Sequence, residues 1–140
     1  MRRFLVTPLM YAAALSAYAQ PDTILRLPEP PAQSAIGYNS VSRAMADLKY
    51  RPGVRIAVTK PDAWTIINER GDIQWSFTPS SHAANPAVVR RKLKVDPEGF
   101  VIIETVALCE AEKSPCDKLL EEFKELNEKI RLSIRGRNKN

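Results

Sequence analysis

The chain has 140 residues, 44% of them hydrophobic and 26% charged, with 21 basic residues, 16 acidic residues and one histidine, for a formal net charge of +5. That is enough apolar material for one core and one domain. The charge excess is too small to mark a nucleic-acid binder, and two cysteines with a single histidine cannot complete a four-ligand zinc site.

Arg2 and Arg3 precede an apolar run over residues 4–15, and Ala17-Tyr18-Ala19 supplies small residues at alternate positions. This predicts a secretory signal peptide over residues 1–19, with the mature chain starting at Gln20 and going to the periplasm or beyond. The run is too short to span a bilayer comfortably, and no cysteine near the cut offers a site for a lipid anchor. Removing residues 1–19 takes away two basic residues and no acid, so 19 basic residues face 16 acids at +3.

Residues 20–35 form a leader with Pro21, Pro28, Pro30 and Pro31, too proline-rich to join the core as a helix. One globular domain is expected over residues 36–134, followed by a basic tail over residues 135–140. A helix should start at Asn39 or Ser40. Val41, Ala44, Met45 and Leu48 form its apolar face, and Pro52-Gly53 stops it.

Strand character follows. Val54, Ile56 and Val58 alternate with more polar neighbours. Residues 64–68 and 73–77 flank Arg70-Gly71. A two-residue loop there would pair Trp64 with Phe77, Ile66 with Trp75 and Asn68 with Ile73, turning both tryptophans to one apolar face. A second hairpin should join residues 88–95 to 100–109 through Asp96-Pro97-Glu98-Gly99, a proline turn closed by a left-handed glycine. This pairing sets Lys92 opposite Glu104, Leu93 opposite Ile103 and Val95 opposite Val101, and keeps residues 90, 92 and 94 on one face.

The strand over residues 100–108 is apolar on both faces apart from Glu104 and Thr105, which predicts a central strand covered on both sides. One cover is a long C-terminal helix with a stripe of Cys116, Leu119, Leu120, Phe123, Asn127, Ile130 and Ile134. Basic side-chain stems, the leader or a second copy of the chain could supply the other. The fold class is therefore α+β: an N-terminal helix, an antiparallel meander of about five strands, and a long C-terminal helix packed on the sheet.

Two cysteines in an exported chain predict one disulfide, Cys109–Cys116. In Ser114-Pro115-Cys116-Asp117, Ser114 has the character of a helix N-cap and Pro115 suits the first helical position. A bridge closing so short a loop contributes about 2.5 kcal/mol by chain entropy.

Candidate chemistry is sparse. His82 shares the irregular segment 79–86 with Ser80 and Asn85, which makes that loop a candidate for recognition. A serine hydrolase would also need a carboxylate and an oxyanion hole, which no sequence spacing indicates. Phosphate loops, dinucleotide glycine patterns and EF-hand loops are missing from the sequence, so no cofactor is expected. Arg90, Arg91, Lys92 and Lys94 crowd one strand, and Arg135, Arg137 and Lys139 crowd the tail. They mark either an anionic partner or lysines guarding an exposed sheet edge.

Trp75-Ser76-Phe77-Thr78-Pro79, His82 and Pro86-Ala87-Val88-Val89-Arg90-Arg91 resemble a motif of small exported proteobacterial proteins of unknown function. Leu108-Cys109, Cys116-Asp117 and Glu125-Leu126-Asn127-Glu128 resemble the same group. The resemblance covers roughly residues 36–134 and implies a bacterial, periplasmic protein without implying an activity. The expected function is a small, non-enzymatic periplasmic binding or accessory protein. Its partner would be a protein or an anionic envelope component, contacted through Ser80, His82, Asn85, Arg90, Arg91, Lys92 and Lys94. The alternatives are a weak hydrolase centred on His82 and a periplasmic enzyme inhibitor.

Overall fold

A computed structural model describes residues 34–137. The expected signal peptide, most of the proline-rich leader and Lys139 lie outside the described residues. The protein is α+β. A helix α1 (Val41–Lys49) precedes five strands, β1 (Arg55–Val58), β2 (Thr65–Glu69), β3 (Ile73–Phe77), β4 (Ala87–Val95) and β5 (Val101–Cys109), and a long helix α2 (Lys113–Arg137) ends the described chain. The strands form one antiparallel sheet in the order of the sequence, so β1 and β5 are its edges.

Helix α1 starts where expected. Ser40 is extended at its N-cap and its hydroxyl accepts from the Arg43 N–H at 3.2 Å. Its buried residues Val41, Ala44 and Leu48 pack on Ile67, Trp75, Phe77 and Val88. Helix α2 packs on the opposite face, where Leu119 and Phe123 meet Ala84, Ala87 and Val89. Successive side chains of a strand point to opposite faces, so Val88 faces α1 and Val89 faces α2. The second cover of the sheet is therefore α1, a possibility the sequence reading left out.

The β4–β5 hairpin has the expected register, with Lys92 opposite Glu104, Leu93 opposite Ile103 and Val95 opposite Val101. Gly99 sits at φ +86°, and the Phe100 N–H donates to Asp96 Oδ1 at 2.7 Å. The β2–β3 hairpin corrects its expectation. Thr65 pairs with Phe77 and Ile67 with Trp75, across a three-residue loop, Arg70-Gly71-Asp72. Gly71 (φ +80°) and Asp72 (φ +56°) both take left-handed backbone, which glycine and aspartate tolerate best. The Asp72 carbonyl accepts from the Leu93 N–H at 3.1 Å, fixing the loop to β4. One residue of slip moves alternate side chains across the sheet. Trp75 thus lies on the α1 face, and Trp64 packs with the α2 cluster.

Three further expectations change. Residues 100–108 form an edge strand, not a central one. Val106 and Leu108 face the α1 cluster and Ala107 and Cys109 face the α2 cluster, while Ile102 near the hairpin tip is 45% exposed. The strand reads as apolar on both sides because only its second half is sandwiched. Helix α2 begins at Lys113, so Ser114 and Pro115 lie inside its first turn. Proline is tolerated there because the first N–H groups have no partner within the helix. Finally, α2 continues through Arg135 and Arg137, so this basic stretch is helical. The cysteine pair forms the expected disulfide, with Cα atoms 5.9 Å apart, tying the end of β5 to the first turn of α2.

Candidate functional site

The candidate residues fall into three places. The first is the α1 face of β4, where alternation puts Arg90, Lys92 and Lys94 in one row. Arg90 lies over the Trp75 ring at 5.6 Å from its centroid, and Lys94 Nζ is 2.6 Å from Glu104 Oε1. Lys94, followed by Lys92 and Arg90, holds the Glu104 carboxyl below its usual range, so all three cations converge on one acid. Strand β4 is interior, with β5 beyond it. The edge-guarding account is overturned for Arg90 and Lys92, which have β3 on one side and β5 on the other, while Lys94 lies past the end of β3 and pairs with β5 alone.

Behind the row, a polar cluster pins α1 to the sheet. The Trp75 indole N–H donates to Glu69 Oε2 at 2.5 Å, and Arg51 Nη1 donates to Glu69 Oε1 at 2.5 Å. Arg51 Nη2 reaches both Tyr38 Oη and Asp47 Oδ2 at 2.6 Å, and the Tyr38 hydroxyl donates to Asp47. Burial, then the bond to Asp47, pushes the Tyr38 phenol up to about 12. The Tyr38 hydroxyl and then Arg51 hold Asp47 below the usual carboxylate range.

The second place is the loop between β3 and β4. Asn85 Nδ2 donates to the Thr78 carbonyl at 3.0 Å and to Thr78 Oγ1 at 3.1 Å. His82 Nδ1 accepts from the Ala84 N–H at 3.0 Å. Its other nitrogen, Nε2, lies 3.8 Å from Glu122 Oε2, and its ring meets Trp64 edge-on at 5.1 Å. Ser80 is exposed. Asn85 and His82 thus satisfy local backbone groups, and Ala84 packs the loop on Leu119 and Phe123 of α2. His82 is bonded to the main chain rather than to a serine hydroxyl.

The third place was not visible in sequence. On the α2 face, the register aligns Arg55, Asn68, Gln74, Arg91 and Thr105 in one row across all five strands. Gln74 Nε2 donates to Asn68 Oδ1 at 3.0 Å, and Arg91 Nη2 donates to Gln74 Oε1. From above, Asn127 Nδ2 donates to Thr105 Oγ1 at 2.9 Å. The Arg91 guanidinium lies 5.3 Å from the Phe123 ring centroid, and burial pushes its pKa down. Arg91 Nε, Arg91 Nη1 and Asn127 Oδ1 are buried without hydrogen-bond partners. Beside them opens a cleft of about 260 Å³ whose apolar wall is Leu93, Ile103 and Ile130. Arg91 is thus separated by the whole sheet from Arg90, Lys92 and Lys94, with which it is contiguous in sequence.

Asn68 and Gln74 escaped the sequence reading because the two-residue hairpin loop put them out of register. Asn127 was the legible signal, a polar residue inside an apolar helical stripe. Among the described residues no group of three or more His, Cys, Asp and Glu side chains could hold a metal ion, and no helix is long and apolar enough to cross a membrane. No family model, curated protein or solved structure matches the chain.

Proposed function

We propose that this is an exported, non-enzymatic binding or accessory protein that holds an anionic envelope component against the α1 face of its sheet. The observation that carries the reading is the row Arg90, Lys92 and Lys94 on an interior strand, three cations sharing one carboxylate, Glu104. A strand paired on both sides needs no charge to block edge pairing, so Arg90 and Lys92, which β3 and β5 flank, are not explained that way. The row's neighbours suit a surface contact: Lys94 pairs with Ile102, which is 45% exposed, and Lys92 pairs with Glu104. The disulfide and the signal-like residues 1–19 support an oxidising compartment outside the cytoplasm.

Vesicle co-sedimentation tests the reading with the mature protein. Phosphatidylglycerol vesicles should pull the protein down and phosphatidylcholine vesicles should not. Exposed charges are screened over about 8 Å at physiological salt, so capture should fall steeply as salt rises. The triple variant Arg90→Ser, Lys92→Ser, Lys94→Ser should stay in the supernatant as a soluble monomer. Equal capture of the triple variant, or no capture of the native protein at low salt, overturns the proposal.

A further inference from the structure

We propose that the cleft between the sheet and α2 is a binding site for a compact, largely apolar molecule carrying one carboxylate, which Arg91 holds. This site lies on the opposite face from the cationic row and stands or falls independently of it.

The argument begins with hydrogen-bond accounting. A guanidinium carries five N–H donors. Gln74 Oε1 accepts from Arg91 Nη2, while Nε and Nη1 are buried without a partner. Among the described residues no carboxylate forms an ion pair with Arg91. An arginine does not shed its charge to escape burial. A half-buried cation with two buried N–H groups unpaired and no counter-charge is costly, and each such group asks for an explanation.

The surroundings define the class of ligand. A cleft of about 260 Å³ is small beside sites for drug-sized molecules, which run from about 300 to 1,000 Å³. Leu93, Ile103 and Ile130 offer apolar contact, and the Asn68 and Gln74 amides offer a polar side. Arg55 and Asp72, one charge of each sign, also line the cleft, so Arg91 is left to balance one negative charge. A phosphate dianion would bring more charge toward Glu69 and Asp72, which also line the cleft. Of these acids, Glu69 is already bonded to Arg51 and Trp75. The guanidinium is preorganised, with Gln74 fixing one end and the Phe123 ring flanking it. A planar carboxylate is the anion that best matches the planar guanidinium fork.

Benzoate and butyrate serve as probes, with benzyl alcohol, butanol and inorganic phosphate as controls, in calorimetric titration of the oxidised mature protein. The carboxylates should bind saturably with one site per chain. Arg91→Met should weaken binding by about 10- to 100-fold, the worth of a charged hydrogen bond. The exposed charge variant Lys118→Ser should bind as the native protein does. No saturable binding, unchanged affinity in Arg91→Met, or equal binding of the alcohols or phosphate overturns the proposal. If Arg91→Met does not fold, the native protein decides. Its Arg91 Nε–H and Gln74 side-chain amide resonances should shift on adding benzoate, and their failure to move overturns the site.

Discussion

The carboxylate oxygen Oε1 of Glu110 accepts a hydrogen bond of 2.7 Å from the backbone N–H of Val41, joining residues 69 positions apart. Val41 opens α1, where the first N–H groups have no partner within the helix and the macrodipole favours negative charge. Glu110 stands just beyond β5, and its own N–H donates to the Pro86 carbonyl at 2.9 Å. One side chain thus couples the start of α1, the loop before β4 and the strand that leads into the disulfide.

Glu110→Ala should therefore destabilise the protein by about 1–2 kcal/mol, the range for losing a helix cap that is also charged. The amide of Glu110→Gln keeps an acceptor and should cost less. Urea denaturation measures both, and amide exchange at Val41 should accelerate more than exchange at Leu48.

The Cys109–Cys116 bond closes a loop with a sequence separation of 7. Cys116→Ser should lower stability by about 2–3 kcal/mol and leave far-ultraviolet dichroism native-like, because the clusters on both faces of the sheet do not depend on the bridge. Thiol labelling of the oxidised protein without reductant should find no free cysteine.

Local chemistry was legible from sequence and long-range placement was not. Ser40 and the spacing of Val41, Ala44 and Leu48 specify α1. Asp96-Pro97-Glu98-Gly99 specifies the β4–β5 register through a single turn. At Arg70-Gly71 two loop lengths both put apolar residues opposite one another. The choice between them rests on Asp72 adopting φ +56° and bonding to Leu93 across the sheet. That slip concealed the row from Arg55 to Thr105, whereas the alternation of β4 already set Arg91 on the face opposite Arg90, Lys92 and Lys94. Nothing in the composition of α1 says that it packs on Trp75 and Val88, so the sheet's second cover stayed open.

Two surface carboxylates, Asp47 and Glu104, contribute to the response to acid. Lys94 holds Glu104 below its usual range, and the Tyr38 hydroxyl and Arg51 do the same for Asp47. A carboxyl whose pKa is depressed by folding contributes stability above its unfolded value, and that contribution disappears as pH falls through the folded value. The urea midpoint should stay flat from about pH 7 to 5 and decline below about pH 4. The double variant Asp47→Asn, Glu104→Gln should start lower and decline less steeply over the same range.

At the alkaline end the sign reverses. The Tyr38 phenol is raised from 10.0 to about 12 by burial and its bond to Asp47. A raised pKa gives stability that is complete below the unfolded value and is lost as pH rises through the folded one. Absorbance at 295 nm should therefore show a late-titrating tyrosine near pH 12 that Tyr38→Phe removes.

Arg91 supplies the last expectation, since a group kept for binding is often kept against stability. Replacing Arg91 alone removes its contact with Phe123 and strands Gln74 Oε1, so the single variant mixes a gain with two losses. The double variant Arg91→Met, Gln74→Leu removes the charge and its acceptor together and leaves apolar side chains of similar length against Phe123. Asn68 Oδ1 then loses the bond from Gln74 Nε2, but this residue is only half-buried, so water can replace the lost donor. Exchanging a half-buried charge that lacks a counter-charge for apolar packing removes its desolvation cost. The double variant should gain about 1 kcal/mol in urea denaturation, and Arg91→Met alone should fall below it. A double variant less stable than the native protein would mean that the guanidinium is a structural support for α2.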